Sequence, residues 1–396
     1  MEKICGKDKK ILEIVGIICE YNPFHLGHAK QIRLIREKFG EEAAVVCLMS
    51  GNFVQRGHPA IVDKTLRAKA AVLCGADLVL ELPITAAVSS AEGFAAGGVE
   101  VLGKFCDYLC FGCETGTAES LMATAKALLS EEFPPLLREE LEKGVSFPAA
   151  RAAALVRMGL DPELVRNPND ILAVEYCKAI LSQGCAMKPL PIIRQGSYHA
   201  VEADPENPSA TALRQKMLSG ENWQGYVPPQ AAEVLAQGAI HTREAGERAV
   251  LMRLRTMTDG EFEALPYGSE GLWRKFMHAS RRETGLEAIT AAVKSKRYTA
   301  TRIDRMLLCA TLGITADDLK TPAPYTQVLA FNDRGRSVLK SAKQHILCIN
   351  AGETHDSPYW ALEKRCGDLY ALFCRDAIEP PCAEENRRVY YHKENP

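Results

Sequence analysis

The feature that most restricts the fold of this chain is an alternation of apolar runs with helix-like segments over its first half. Short runs rich in Ile, Leu and Val, typical of buried strands, occur at residues 11–19, 43–49, 78–82, 108–112 and 190–193. Helical spacing of apolar residues fills the intervals at 29–39, 63–74, 89–103 and 119–129. Such alternation predicts an α/β fold, with a parallel sheet, right-handed crossovers and helices on both faces.

The second half of the chain has a different pattern. Residues 133–160 and 171–183 are predicted to be helical, and the alternation ends near residue 220, before the proline pair Pro228-Pro229. Helical patterns then follow at 230–237, 244–258, 271–282 and 286–294. Residues 304–312 open the last part of the chain, in which short strands are predicted at 327–330 and 346–349. The charged tail, 380–396, is predicted to be disordered. We therefore expect a catalytic domain at 11–220 with a helical insertion, and a mainly helical domain at 221–396.

Composition is that of a soluble globular protein, with 47% hydrophobic and 25% charged residues among 396. The longest apolar run near the N-terminus is far shorter than the roughly 20 residues of a membrane helix, and residues 1–10 lack the apolar centre of a signal peptide. We expect a cytoplasmic protein with no membrane contact. The 14 cysteines are scattered, which predicts buried free thiols. Cys110 and Cys113 form a C-x-x-C with no second pair nearby, so no metal site is predicted.

Two histidines lie where the first predicted strand passes into the first predicted helix. His25, Gly27 and His28 form an H-x-G-H run after the turn at Asn22-Pro23. A helix N-terminus offers N–H groups and a partial positive charge to a phosphate. Gly27 allows close approach, and the histidines can donate to phosphate oxygens. The alternative, that both are ordinary turn and cap residues, is disfavoured by this strand–helix context. The run predicts a nucleotide-phosphate site.

A second motif opens a later helix. Ser209-Ala210-Thr211-Ala212-Leu213-Arg214 follows an Asn-Pro turn. Ser209 or Thr211 would cap the helix, and its free amides together with Arg214 would hold outer phosphates. In this order, the two motifs resemble those of the H-x-G-H nucleotidyltransferases, a family with a Rossmann-like fold that transfers adenylyl groups from ATP.

Longer blocks narrow the resemblance. The chain is similar to the bacterial tRNA(Met) cytidine acetate ligases at residues 20–28, 50–57, 81–83, 168–172, 198–199, 209–214 and 296–303. The similarity runs from about residue 14 to about residue 313. It implies a ligase that activates acetate with ATP as acetyl-adenylate and releases pyrophosphate. The enzyme would then acetylate N4 of the wobble cytidine of elongator tRNA(Met), forming N4-acetylcytidine.

The resemblance also implies roles for individual residues. His25, His28 and Arg214 would be catalytic. Gln55 and Arg56 are candidates for binding acetate because they lie on a loop at the active end of the predicted sheet, where Arg56 could hold the carboxylate. Magnesium is implied with ATP, although no carboxylate cage for it is visible. The implied ATP-binding residues are Ile18, Cys19, Glu20, Tyr21, Asn22, Pro23, Phe24, His25, Leu26, Gly27, His28, Ala29, Lys30, Gln31, Gly112, Asn169, Arg194, Ser209, Thr211 and Arg214.

Positive charge is concentrated in one segment, although the whole chain carries a formal net charge of −2. Between positions 271 and 305, nine basic and three acidic residues give a net charge of +6, and aromatic residues are interspersed. Such a patch can contact RNA phosphates while an aromatic ring stacks on an unpaired base. A solvated helical face is the alternative. The candidate tRNA-binding residues are Arg274, Lys275, Lys294, Lys296, Arg297, Tyr298 and Arg302.

Two other functions share some of these features. An adenylyltransferase that makes a coenzyme from ATP and a phosphorylated metabolite has both motifs, but is usually shorter and lacks a basic helical domain. A non-catalytic tRNA-binding protein could retain a relic nucleotide pocket, but His25, Gly27, His28, Thr211 and Arg214 are all present. The sequence leaves the oligomeric state open.

Overall fold

The structure is a computed structural model that describes residues 12–193, 208–295, 297–342, 347–378, 380–381 and 384–393. The described strands are β1 (Ile14–Cys19), β2 (Ala44–Ser50), β3 (Phe53–Val54), β4 (His58–Pro59), β5 (Leu78–Leu82), β6 (Tyr108–Cys113), β7 (Lys188–Ile193), β8 (Thr326–Asn332), β9 (Cys348–Asn350) and β10 (Tyr390–His392).

The described helices are α1 (Leu26–Phe39), α2 (Lys64–Leu73), α3 (Ile84–Ala87), α4 (Ala91–Leu102), α5 (Ala118–Leu128), α6 (Phe133–Glu142), α7 (Phe147–Arg157), α8 (Pro168–Ser182), α9 (Ala210–Ser219), α10 (Pro229–Leu235), α11 (Glu247–Thr256), α12 (Asp259–Glu263), α13 (Leu272–Arg282), α14 (Leu286–Val293), α15 (Ala300–Leu312), α16 (Asp333–Ala342) and α17 (Pro358–Tyr370).

The main sheet has the strand order β10-β8-β5-β2-β1-β6-β7, with β9 beside β8. Its pairs are parallel except β5–β8, which is antiparallel. All seven residues of β2 are buried because helices cover both faces, which explains its unbroken apolar run. The α/β class and the five N-terminal strands predicted from the sequence are confirmed.

The order of the strands fixes where a ligand can bind. From β1 the chain adds β2 and β5 on one side, then crosses over to add β6 and β7 on the other. The crevice of such a sheet lies beyond the carboxyl ends of the strands at the point where the order reverses, here between β1 and β6. Both predicted phosphate motifs lie at this edge of the sheet.

The C-terminal segment differs from the prediction in two ways. First, β8 pairs with β5, so residues 326–332 extend the N-terminal sheet. The proposed division at residues 220 and 221 stays a prediction, but the two segments share this sheet. Second, the prediction of disorder for 380–396 is wrong for residues 384–392, because Glu384–Asn386 form a 3₁₀ turn and β10 pairs with β8.

Helical predictions are largely confirmed, with corrected ends. The insertion forms α6 and α7, which pack around a small core that includes Phe133 and Leu155. The first helix starts at Leu26 rather than Ala29. The helix predicted from Ile171 starts at Pro168 and is capped at Asn167, so Asn169 and Asp170 lie in its first turn. In the second half, α11, α13, α14 and α15 enclose a separate apolar core around Phe276 and Ile303.

Candidate nucleotide site at the carboxyl edge of the sheet

The H-x-G-H run forms the N-terminus of α1. His25 is the N-cap residue in an extended conformation, and its Nδ1 accepts a hydrogen bond from the Gly27 N–H at 3.1 Å. His28 lies one turn later, and its Nδ1 accepts from the His25 N–H at 3.2 Å. The two side chains form a reciprocal capping box, with their rings stacked at 3.6 Å between centroids. The histidines are therefore cap residues of α1, and this capping role is compatible with the predicted role in phosphate binding.

These hydrogen bonds assign the protonation of the pair. A ring nitrogen that accepts a hydrogen bond carries no proton, so each imidazole is neutral and bears its proton on Nε2. Nε2 is then the donor of each ring. The described helix α1 has no acidic residue in its first turn, so its positive end is not offset there. This arrangement suits an anion with oxygens that accept from both rings.

Buried aromatic residues hold the pair in place. Tyr21 and Phe24 are 1% and 0% exposed, and their ring centroids lie 4.7 and 5.6 Å from that of His28. These two residues and Asn22, which is also buried, stand in the run assigned to ATP binding. Their contacts give them a supporting role in the core beneath the histidines.

The second motif reaches the same turn. Ser209 caps α9, with its Oγ accepting from the Ala212 N–H at 3.1 Å. Arg214 donates from Nη1 to the Asn22 carbonyl at 2.8 Å and from Nη2 to Thr211 Oγ1 at 3.1 Å. The structure thus brings Thr211 and Arg214 to Asn22, which precedes His25 by three positions. The contact joins residues 192 positions apart in the chain, so the two motifs converge at one edge of the sheet.

A second part of the predicted ATP site lies at the end of β6. Asn169 donates to Glu114 Oε1 at 2.7 Å, which places it beside the strand end that contains Gly112. Gln31, on α1, donates to the Sγ of Cys110 on the same strand at 3.4 Å. Helix α1 therefore packs against β6 as well as following β1. Arg194 lies outside the described residues, as do Tyr198 and His199.

The remaining predicted ATP residues follow the chain through this edge. Ile18 and Cys19 are the last residues of β1, and the Cys19 thiol lies 3.8 Å from the Leu48 carbonyl of the neighbouring strand. Pro23 completes the turn before His25, while Ala29 and Lys30 follow His28 in α1 and are half-buried.

The hairpin β3–β4 forms the neighbouring wall of this edge. Glu20 accepts from the Gln55 backbone N–H at 2.9 Å, and the Gln55 side chain donates to the Ser89 carbonyl at 3.3 Å. Arg56 is exposed at the hairpin tip. Of the two candidates for acetate, Gln55 makes both of these hydrogen bonds, and Arg56 is the more exposed of the two.

Arg67 is a supporting residue that the sequence analysis did not identify. Its side chain is fully buried and donates to four backbone carbonyls, those of Val62, Glu20, Ser50 and Gly51. These carbonyls belong to the ends of two adjacent strands and to the loop that follows. The available signal was an arginine among alanines on the predicted helix 63–74, where an unpaired cation would be costly.

Three of the candidate cations in the basic segment are held by contacts within the protein. Arg297 pairs with Glu270 at 2.7 Å, and Arg302 donates to the Tyr267 carbonyl from Nε at 2.9 Å and from Nη2 at 2.6 Å. Lys275 donates to the Val293 carbonyl at 2.9 Å, at the end of α14. Of the other candidates, Lys294 and Arg274 are exposed, Tyr298 is half-buried, and Lys296 lies outside the described residues.

Helix α15 brings this segment against the hairpin. A Cβ on Gly57 would lie 2.5 Å from the Asp304 carbonyl carbon, so no larger residue fits there without movement. Asp304 pairs with Arg243 at 2.6 Å. The helical half of the chain therefore touches the candidate site through β3–β4.

Other predictions concern metals, thiols and membranes. The cysteines in the described part of the chain are free thiols, and burial raises the pKa of Cys113 to about 11 and that of Cys110 to about 12. Across the described ranges, no three His, Cys, Asp or Glu side chains form a ligand set for a metal. No described helix is long and apolar enough to cross a membrane.

Comparisons with known proteins agree with this geometry. The family model for HIGH Nucleotidyl Transferase matches residues 12–384, which defines the chain as a nucleotidyltransferase of this class. Two similar relatives are the tRNA(Met) cytidine acetate ligases of Alkaliphilus metalliredigens and Anoxybacillus flavithermus. They are 35% and 34% identical over 97% and 96% of this chain, and over 100% and 98% of their own lengths.

Two solved structures of a similar protein have the same fold as this chain. The crystal structure of apo Thermotoga maritima TmcAL matches with a TM-score of 0.88 and 29% identity, covering 97% of this chain and all of that one. The same protein bound with alpha-thio ATP matches with a TM-score of 0.86. Within the nucleotidyltransferase class, the chain belongs to the tRNA(Met) cytidine acetate ligase family.

Proposed function

We propose that this protein activates acetate with ATP and transfers the acetyl group to N4 of the wobble cytidine of elongator tRNA(Met). The observation that carries the proposal is the paired His25 and His28 at the start of α1, with both Nε2 atoms assigned as donors. Arg214 ties the second motif to the same turn. The names of the relatives point to the same reaction.

The first step forms acetyl-adenylate. An acetate oxygen attacks the α-phosphorus of ATP, the bond from that phosphorus to the bridging oxygen breaks, and pyrophosphate leaves. Catalysis then depends on positioning and on neutralising charge on the phosphate oxygens. His25 and His28 donate to those oxygens, and Arg214 with the N-terminus of α9 holds the outer phosphates. Gly112 and Asn169, brought together at the end of β6, line the nucleoside side.

The second step transfers the acetyl group. The N4 amine attacks the acetyl carbonyl, the carbonyl-to-oxygen bond of the mixed anhydride breaks, and AMP leaves with that oxygen. The amine loses a proton, and no covalent enzyme intermediate is required. We propose that Arg56 on the exposed hairpin tip pairs with the acetate carboxylate before the first step.

Magnesium is proposed to enter with ATP rather than to reside in the protein. Two carboxylates at this edge, Glu20 and Glu114, are engaged by Gln55 and Asn169. The described residues thus supply no ready carboxylate cage. The residues here do not fit a resident ion, and no step is assigned to one.

The tRNA is proposed to bind on α13–α15, with residues 11–220 as the catalytic part and 221–396 as the tRNA-binding part. The exposed residues Arg274, Lys294 and Arg297 support this assignment, as does the contact of α15 with the β3–β4 hairpin. We propose that the protein works in the cytoplasm, where ATP and tRNA are available.

The experiment that tests this function uses unmodified tRNA. The protein is incubated with ATP, labelled acetate and either elongator tRNA(Met) or a variant with uridine at the wobble position. The tRNA is then digested to nucleosides. We expect labelled N4-acetylcytidine from the first tRNA alone. Label in other nucleosides, or none with acetate and ATP in excess, would contradict the proposal.

A further inference from the structure

A buried ionic cluster joins the C-terminal segment to the catalytic edge. It consists of Asp63, Lys64, Glu81, Glu384 and Arg387. Lys64 Nζ lies 2.7 Å from Glu81 Oε2 and 2.8 Å from Glu384 Oε2. Arg387 binds Asp63 in bidentate fashion, with both distances 2.9 Å, and its Nε lies 3.0 Å from Glu384 Oε1. Side-chain exposure within the ionic cluster does not exceed 24%.

The members of the ionic cluster depend on one another for their charge. Burial alone would lower the pKa of Lys64, but Glu384 and Glu81 raise it above its ordinary value. Burial would raise the pKa of Asp63, but the Arg387 guanidinium and the Thr65 N–H hold it below its ordinary value. Removal of one partner from such a group leaves a buried charge uncompensated. The C-terminal residues Glu384 and Arg387 are therefore integral to the N-terminal sheet.

The ionic cluster fixes the start of the loop that follows β2. Asn52 donates from Nδ2 to Asp63 at 3.1 Å and accepts at Oδ1 from the Lys64 N–H at 2.7 Å. A Cβ on Gly51 would lie 2.1 Å from Glu81 Oε1, so the backbone there rests directly on the carboxylate. Gly51 and Asn52 are both buried. Asp63, Lys64 and Glu81 therefore fix the positions of these two residues, and Glu384 and Arg387 of the C-terminal segment complete the ionic cluster.

The same loop leads into the candidate site. Three residues after Asn52, the Gln55 N–H donates to Glu20, which stands five positions before His25. Arg67 joins the Glu20 and Gly51 carbonyls from within the core. A displacement of the loop would thus act on the proposed acetate side of the site, while the H-x-G-H helix and Arg214 keep their own hydrogen bonds.

We propose that Glu384 and Arg387 are positioning residues that place the β3–β4 hairpin for the reaction of acetate. They act through Asp63, Lys64 and Asn52, without contact with the nucleotide. The inference rests on the proposed function, because acetate activation is the activity that it modulates. It assigns a role in the reaction to residues more than 300 positions from the loop they hold.

The test compares Arg387→Ala, Arg387→Lys and the near-isosteric Glu384→Gln with Lys364→Ala. The control removes a cation from the exposed pair Lys364–Glu385 at 2.8 Å, whose side chains are 44% and 37% exposed. Acetate-dependent exchange of labelled pyrophosphate into ATP is measured against acetate concentration, and ATP binding is measured alone. For Arg387→Ala we expect kcat/KM for acetate to fall by about tenfold or more, with the Kd for ATP within about twofold of wild type.

A double-mutant cycle with Asn52→Ala tests the route. If Arg387 acts through Asn52, the two losses in kcat/KM for acetate will not multiply. Kinetics like those of Lys364→Ala in both Arg387→Ala and Glu384→Gln would overturn the inference, as would multiplicative losses in the cycle. Equal losses in acetate turnover and ATP binding would also overturn it, because they indicate general destabilisation. Absence of acetate-dependent exchange in wild type would instead reject the proposed function.

Discussion

At the scale of single residues, we propose that His25 and His28 do two tasks with different nitrogens. Nδ1 of each ring accepts a backbone N–H and so caps the helix, which leaves Nε2 as the protonated atom. The capping role and the phosphate role are thereby coupled. A substitution at either position changes the helix start and the proposed donor together, so its test needs a control for capping.

Replacing His28 with alanine should reduce acetate-dependent pyrophosphate exchange by on the order of 10²–10³, because one preorganised donor to the transition state is lost. Removal of the cap should lower stability by about 1 kcal/mol. Glu261→Ala is the matched control, since Glu261 holds the same N3 position in the capping box of α12. Wild-type exchange in His28→Ala, or an equal loss in Glu261→Ala, would contradict the assignment.

A second prediction at this scale concerns Glu363, which accepts from Tyr325 at 2.6 Å and Gln327 at 2.9 Å. Burial and the nearby Glu81 raise its pKa from 4.5 to about 7. Because the folded-state pKa is raised, its contribution to stability is present below about pH 4.5 and is lost as the pH rises through about 7.

Glu363→Gln keeps the acceptor oxygen and removes this titration. Relative to wild type, its free energy of unfolding should therefore increase between pH 4.5 and 7, by at most about 1.4 kcal/mol per pH unit. Urea unfolding at several pH values measures the difference. Parallel curves for the two proteins would show that Glu363 does not titrate in this range.

At the scale of elements, Arg214 on α9 bridges to the turn between β1 and α1, and this contact joins the two parts of the proposed site. Arg214→Ala should raise KM for ATP, and Arg214→Lys should restore it only in part, since lysine lacks the planar fork that reaches both Asn22 and Thr211. Pyrophosphate exchange at limiting ATP measures the effect. Lys216→Ala serves as the control, because Lys216 lies on the same helix as Arg214 and its substitution breaks the ion pair with Glu221. Wild-type exchange in either Arg214 variant at limiting ATP would refute its role.

The helices and strands also show which features of the fold can be predicted from the sequence. Apolar runs identified the five N-terminal strands, because a buried parallel strand needs apolar residues on both faces. The structure starts α1 three residues earlier than the sequence predicts, because capping by histidine side chains has no strong sequence signal. The motifs predict a site at the carboxyl edge of the sheet, and the structure brings the two motifs together there. They do not predict the role of Arg67, because the four backbone carbonyls to which it donates belong to separate segments of the chain.

At the scale of the whole molecule, the sequence does not predict ion pairs between residues that lie far apart in the chain. The tail 380–396 has a polar composition typical of disorder, yet Lys64 and Asp63 bind Glu384 and Arg387 across more than 300 positions of the chain. The segment 271–305 likewise has a net charge of +6 in the sequence, but Glu270 and Asp259 outside it pair with Arg297 and Arg281. Local composition could not show these partners.

These pairings change how the tRNA surface should be tested. Arg302 and Lys275 donate hydrogen bonds to backbone carbonyls, so reversing the charge of these two side chains would disturb the fold. The exposed set Arg274→Glu, Lys294→Glu and Arg297→Glu should instead weaken tRNA binding. The slope of log affinity against log salt should become shallower by about one for each cation that no longer neutralises a phosphate. Acetate-dependent exchange should stay near wild type.

The control for this prediction is a triple reversal of exposed cations elsewhere, at Lys104, Lys126 and Arg138. It changes the net charge equally, so it separates a local surface from the general field of the protein. Equal tRNA affinity and salt slope in the two triple variants would show that α13–α15 do not contact the RNA.

The central claim is that an acetate oxygen attacks the α-phosphorus of ATP at the H-x-G-H helix. Turnover with acetate labelled with ¹⁸O at both oxygens, ATP and tRNA tests it directly, by mass spectrometry of the products. Attack at the α-phosphorus predicts one ¹⁸O in each AMP, one in each acetyl group on the tRNA, and none in pyrophosphate. Unlabelled AMP, or ¹⁸O in released phosphate or pyrophosphate, would contradict the account.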